Sequence, residues 1–156
     1  MTFYIPGEPV GKERPRVANG HAYTPAKTKA YEEKVKWCFR QAHGRMLDGP
    51  IRMTIEAVYS IPKSASRKAM EAKEGKPARK KPDLDNLVKC IADALNGMAY
   101  EDDKDIVMVT AFKSCGATPG VSVTVDAMTD EEYQQHVRMI EIWRESMPVI
   151  LGEEET

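Results

Sequence analysis

Six aspartates crowd into residues 83–105: Asp83, Asp85, Asp93, Asp102, Asp103 and Asp105, with Arg79, Lys80 and Lys81 immediately upstream. Clustered carboxylates repel one another and give up hydration at a cost, which a divalent cation converts into a binding site. The neighbouring cations would attract a polyanion. Metal-binding carboxylates beside phosphate-binding cations are the components needed for metal-assisted phosphodiester hydrolysis.

Mg²⁺ takes oxygen ligands at about 2.0–2.1 Å, with one or two carboxylates and several waters. Asp83 and Asp85 are two residues apart, so both cannot lie on one helical face if both are helical. If Asp83 is still extended ahead of the helix, the two carboxylates can converge. Pro82 favours this, and it pushes Lys81 towards extended backbone. The third ligand, Asp102 or Asp103, would come from the start of the next strand. Lys89, one turn beyond Asp85, could contact the scissile phosphate or stabilise the charge of the transition state. Asn86 could orient a carboxylate or a water. Lys12, Arg14 and Arg16, with Arg79, Lys80 and Lys81, would hold phosphates outside the centre.

Each feature also has a plain structural explanation. Asp83 suits an N-cap. Asp85, Lys89 and Asp93 are spaced for i,i+4 ion pairs, worth only about 0.3–0.5 kcal/mol each. Asp102-Asp103-Lys104-Asp105 would serve as a solvated turn. It is their accumulation on one helix and the following loop that is electrostatically wasteful without a cation.

The elements that must position these residues follow from pattern. Thr2–Ile5 predicts a short strand, halted by Pro6 and Gly7. Residues 6–25 predict a loop with a short hairpin strand near His21–Tyr23. Thr24-Pro25 predicts an N-cap and first helical residue. The helix would run to about His43 with Gly44 beyond it, burying Tyr31, Val35, Cys38 and Phe39. Ile51–Ile61 alternates with period two, the mark of a half-buried strand. A short helix is expected at Ser64–Lys73, then a mobile basic loop at Lys76–Lys81. The helix at 83–96 carries Leu84, Leu87, Val88, Ile91, Ala94 and Leu95 on one face, with Asn96-Gly97 ending it. Asp105–Ser114 and Val121–Ala127 predict two strands joined by a Gly/Pro turn. Thr129-Asp-Glu-Glu132 is a capping box opening a last helix with Tyr133, Val137, Ile140, Trp143 and Met147 on one stripe. This mixture of helices and antiparallel strand pairs predicts an α+β fold: one compact domain over 1–151, a small mixed or antiparallel sheet packed with helices, and a frayed acidic tail over 152–156.

Composition narrows the function. The net charge of −1 says nothing about partners, but its distribution does. Residues 1–89 hold 19 Lys/Arg against 10 Asp/Glu, whereas residues 90–156 hold 4 against 14, which suggests a basic face for an anionic ligand. Cys38, Cys90 and Cys115 are odd in number and lack a Cys-x-x-Cys spacing, and His21, His43 and His136 are scattered. A zinc site or disulfide framework is not expected; reduced core thiols of a cytoplasmic protein are. There is no signal-peptide pattern at the N-terminus, no apolar run of membrane-spanning length, and no Gly-x-x-x-x-Gly-Lys-Ser/Thr loop. No Ser-His-Asp set stands out.

The string Asp83-Leu-Asp-Asn-Leu-x-Lys-x-x-x-Asp-Ala-Leu-Asn, followed by Asp102-Asp103, resembles the signature of the RusA family of Holliday junction resolvases. Ile5-Pro-Gly-Glu-Pro, Lys12-x-Arg-Pro-Arg16 and Tyr23-Thr-Pro-x-Lys-Thr28 resemble its phage and Gram-positive branch. The resemblance spans residues 1–127 and leaves out the last helix. It implies an Mg²⁺-dependent homodimeric endodeoxyribonuclease that nicks four-way DNA junctions symmetrically, with one or two Mg²⁺ ions and Mn²⁺ as a substitute. Asp83, Asp85 and Asp103 fall on the family's metal ligands and Lys89 on its essential lysine. The loop before Asp102 is one residue shorter than in the best-known bacterial member, so Asp102 and Asp103 can exchange roles. Glu101 stands where an apolar residue is expected. Two other readings are a nuclease for flapped or otherwise branched DNA, and a non-catalytic DNA-binding module.

Overall fold

A computed structural model describes residues 1–18 and 20–146. The expected acidic tail and Met147 lie outside the described residues. The chain runs β1 (Thr2–Pro6), β2 (Arg16–Ala18), β3 (His21–Tyr23), α1 (Ala26–Gln41), β4 (Ile51–Ser60), α2 (Arg67–Lys73), α3 (Leu84–Leu95), β5 (Ile106–Gly116), β6 (Gly120–Ala127) and α4 (Asp130–Ser146). The main sheet has the order β1-β6-β4-β5, and β2 and β3 form a separate hairpin. The fold is α+β, as expected. No described helix is long and apolar enough to cross a membrane.

Strand β4 organises the sheet. Ile51, Met53, Ile55, Ala57 and Tyr59 are buried, and the residues between them are half-buried. The buried set joins Tyr31, Val35, Cys38 and Phe39 of α1 and Leu87, Cys90, Ile91, Ala94 and Leu95 of α3 in one core. Helices α1 and α3 therefore cover one face. On the other face, Arg52 reaches Glu132 of α4 at 2.9 Å.

Strands β5 and β6 are not partners, although only residues 117–119 join them. β4 lies between them, parallel to β5 and antiparallel to β6. The parallel pair is possible because residues 61–105 form a long crossover that carries α3 back over the sheet. The strand with the most buried side chains thus takes a central place, which a local turn signal cannot reveal.

Other expectations shift in detail. Pro25, not Thr24, is the N-cap of α1, and no side chain caps that helix. Beyond α1 the positive φ belongs to His43, at 55°. Gly44 is needed for a different reason: a Cβ there would lie 2.4 Å from the Phe39 ring. The basic segment 76–81 is not a free loop. Ala78 N–H donates to Lys113 O at 3.0 Å and Cys115 N–H to Lys76 O at 2.8 Å, which ties the segment to the outer edge of β5. The α4 capping box forms, with Thr129 N–H donating to Glu132 at 2.9 Å and Glu132 N–H to Thr129 Oγ1 at 3.2 Å. Its apolar stripe is not buried against the sheet: Tyr133, Ile140 and Trp143 are exposed.

Candidate active site at the start of α3

Helix α3 forms because its buried face repeats at helical spacing, and it stops at Asn96 with Gly97 at φ 71°. Its buried face locks its rotation, so its polar residues have fixed directions. Asp83 occupies the N-cap with extended ψ of 149° and makes no capping hydrogen bond. The backbone is as the sequence predicts, and the carboxylate is free of the usual capping duty. It instead receives two hydrogen bonds from Lys81 Nζ, both 2.8 Å. That contact holds the Asp83 carboxyl below the usual carboxylate range.

Asp85 and Lys89 sit on the rim of an open groove of about 570 Å³ between α3 and β5, floored by Leu84, Val88, Val109 and Ala111. Lys89 is exposed, and its ion pair is with Asp93 at 3.9 Å rather than with Asp85. The groove is open to solvent on the side of Asp85 and Lys89.

The 97–102 segment is pinned from below. Buried Tyr100 donates its hydroxyl to Ala92 O at 2.8 Å, fixing the loop to α3. Asp102 then caps a 3₁₀ turn over Asp103–Asp105, accepting from Lys104 N–H at 3.0 Å. That hydrogen bond lowers the Asp102 pKa. Asp103 is exposed. Among the described residues, no group of three or more His, Cys, Asp or Glu side chains converges as a metal cage. The donor chemistry is still that of a hard cation: Mg²⁺ is commonly held by one or two carboxylates, waters and substrate phosphates. Asp83 and Asp85 can supply such a partial set.

The N-terminal loop packs directly on this helix start. Lys12 N–H donates to Asn86 O at 2.7 Å. A Cβ at residue 11 would lie 2.6 Å from Pro82 Cβ and 3.2 Å from Asn86 Cβ, so Gly11 is required by close approach. The Lys12 ammonium does not point away from the protein. It contacts Glu32 of α1 at 2.5 Å and Asp93 of α3 at 2.8 Å. Burial pulls its pKa down, but the hydrogen bonds it donates to Asp93 and Glu32 outweigh this and leave it raised. Arg14, Arg16 and Arg79 are exposed, and Arg16 lies 3.6 Å from Glu13. Lys80 donates to Ser60 O.

Two residues at the site escaped the sequence reading. Lys113 of β5 donates to Lys80 O at 2.5 Å and Pro82 O at 3.0 Å, and lies 5.4 Å from the centre of the Tyr59 ring. It clamps the segment that delivers Asp83. Its signal was available: Lys113 is a lone charge in register with Val107, Val109 and Ala111. Glu32 had no signal, since it is one of two adjacent glutamates on a charged helix.

A family model described as endodeoxyribonuclease RusA matches residues 6–126, which contain the N-terminal loop, the start of α3 and the Asp102-Asp103 turn. A Bacillus subtilis (strain 168) protein, described as uncharacterized protein YqaN, is 35% identical over 135 residues, covering 80% of this chain and 94% of that protein. The chain belongs to the RusA endodeoxyribonuclease family.

Proposed function

We propose that this protein is an Mg²⁺-dependent endodeoxyribonuclease that resolves four-way DNA junctions by paired, symmetric nicks. The observation that carries this reading is the start of α3. There an exposed Asp85 and an exposed Lys89 rim one open groove, directly after the extended N-cap residue Asp83, in a chain of the RusA family. Asp83 and Asp85 are the inner metal ligands, and Asp103 the third, with Asp102 able to take its place. When bound, Mg²⁺ supplies a Lewis acid and an activated water at the scissile phosphate. Lys89 offsets the negative charge that grows on the phosphate as the bond breaks. Asn86 supports this set, and Asp93 bears on it only through its ion pairs with Lys12 and Lys89. Arg14, Arg16, Arg79, Lys80 and Lys81 grip flanking phosphates. Two matched nicks need two equivalent sites, which a two-fold homodimer provides.

A panel of synthetic DNAs tests the proposal: a mobile four-way junction, a flap and a plain duplex, each with Mg²⁺, Mn²⁺ or Ca²⁺. Paired nicks on the junction with Mg²⁺ are expected. Preferred cleavage of the flap would redirect the substrate assignment, and binding without nicking in any metal would leave a DNA-binding module.

A further inference from the structure

Lys12, Glu32, Asp93 and Lys89 form a chain of four charges that sums to zero. One Asp93 oxygen faces Lys12 at 2.8 Å and the other faces Lys89 at 3.9 Å. The Lys12 side chain is about 21% exposed and that of Asp93 about 24%, whereas that of Lys89 is 63% exposed. The inner pair is therefore close and shielded, and the outer contact is long and hydrated. A carboxylate whose charge is already met at short range attracts a second cation only weakly.

We infer that Lys12 is a positioning residue: by neutralising Asp93 it leaves the Lys89 ammonium free to serve the phosphate at the groove. Without Lys12, Asp93 would have Lys89 as its sole close cation among the described residues. The flexible Lys89 side chain would then close onto Asp93, one turn further along α3 and away from Asp85. The backbone contact of Lys12 with Asn86 makes the coupling local, because the same residue fixes the loop to the first turn of α3. Glu32 completes the arrangement by holding the other side of the Lys12 ammonium, tying α1 into the network. This assignment rests on the nuclease reading for its consequence in catalysis, but the charge network itself does not.

The test uses the full-length protein and two variants, Lys12→Met and Lys12→Met/Asp93→Asn. Lys12→Met keeps most of the apolar stem and removes the charge. Single-turnover cleavage of a four-way junction at saturating protein should fall at least about tenfold in Lys12→Met and recover to within about threefold of wild type in the double variant. Recovery of rate at an unchanged unfolding midpoint is what neither a DNA contact nor a purely structural lysine would give. A DNA contact would weaken binding in Ca²⁺ and flatten its salt dependence, and Asp93→Asn would not restore its full affinity. A purely structural lysine would lower the unfolding midpoint of Lys12→Met, and rate and midpoint would recover together once Asp93 no longer carries an unpaired charge. Either pattern overturns the inference.

A second readout needs neither DNA nor metal. The rate of Lys89 acylation by an amine-reactive ester, followed by mass spectrometry, should fall in Lys12→Met and recover in the double variant. Unchanged Lys89 labelling in folded Lys12→Met overturns the inference whatever the enzyme does. The labelling shift without nicking of any DNA by the wild-type protein would sink the nuclease reading and leave the charge network standing.

Discussion

Helices α3 and α4 make an instructive pair. Both follow an acidic start and both carry apolar residues at helical spacing. In α3 that stripe enters the core: Leu87, Cys90, Ile91 and Leu95 are fully buried. In α4 no residue is buried, and Trp143 and Ile142 are 58% and 65% exposed. α4 is held chiefly at its first turns, through Arg52, Glu132 and the capping box. The difference is one of partners rather than periodicity. α3 is the crossover between the parallel strands β4 and β5, and the sheet demands its apolar face. α4 comes after the last strand and meets the opposite, more polar face. Polar residues on α3 are consequently aimed by a rigid core, which suits chemistry; those on α4 are not.

The largest expected effect is on the chemistry that α3 aims. Asp83→Asn and Asp85→Asn should each lower junction cleavage roughly a thousandfold, about 4 kcal/mol in the barrier, while binding in Ca²⁺ is kept or improved. Near-wild-type nicking by both would remove these carboxylates from the active site. Next comes packing. Leu87→Ala should destabilise by about 2–5 kcal/mol in urea unfolding, and Ile142→Ala by no more than about 0.5 kcal/mol. A large cost at Ile142 that grows with protein concentration would show that a second chain covers α4, and the contrast between the helices would then hold only for the monomer.

Weaker effects are expected from the basic segments. Replacing Arg14 and Arg16 with alanine should weaken binding to every DNA shape and reduce the salt slope by about one per lost phosphate contact. A slope equal to wild type would place both arginines away from DNA. At the start of α4, Thr129→Ala should cost about 0.5–2 kcal/mol, the usual range for a lost N-cap. The smallest effect is on pH. The hydrogen bond from Thr129 N–H, and then Arg52, lower the Glu132 pKa in the folded protein. Its contribution is therefore present above the ordinary carboxylate range and disappears as pH falls through the lowered folded value. Amide protection factors in the first turn of α4, corrected for the intrinsic slowing of exchange in acid, should fall on acidification in wild type and respond less in Glu132→Gln.

Much of this was readable without coordinates. The alternation of β4, the buried stripe of α1 and the α3 face with its Asn96-Gly97 stop all follow from side-chain period and backbone preference. The extended backbone at Asp83 is the ordinary geometry of an N-cap residue, and Asp is favoured at that position. The active-site reading was less complete. Lys12 looked like a phosphate contact because it stands in a basic run with Arg14 and Arg16. Its actual neighbours, Glu32 and Asp93, are 20 and 81 residues away along the chain. The clamp by Lys113 was missed because it depends on β5 lying beside the 76–82 segment.

The sequence by itself determined which faces are apolar, where helices and strands begin and end to within a few residues, and which carboxylates and lysine share the start of α3. These are local matters, set by steric limits on the backbone and by the periods of helix and strand. Only the tertiary structure decided that β4 separates β5 from β6, that segment 76–81 is fastened to β5, that Lys12 faces inward and that the α4 stripe stays exposed. Each depends on which distant surface supplies the better partner for burial or charge, and that choice is made among all elements at once.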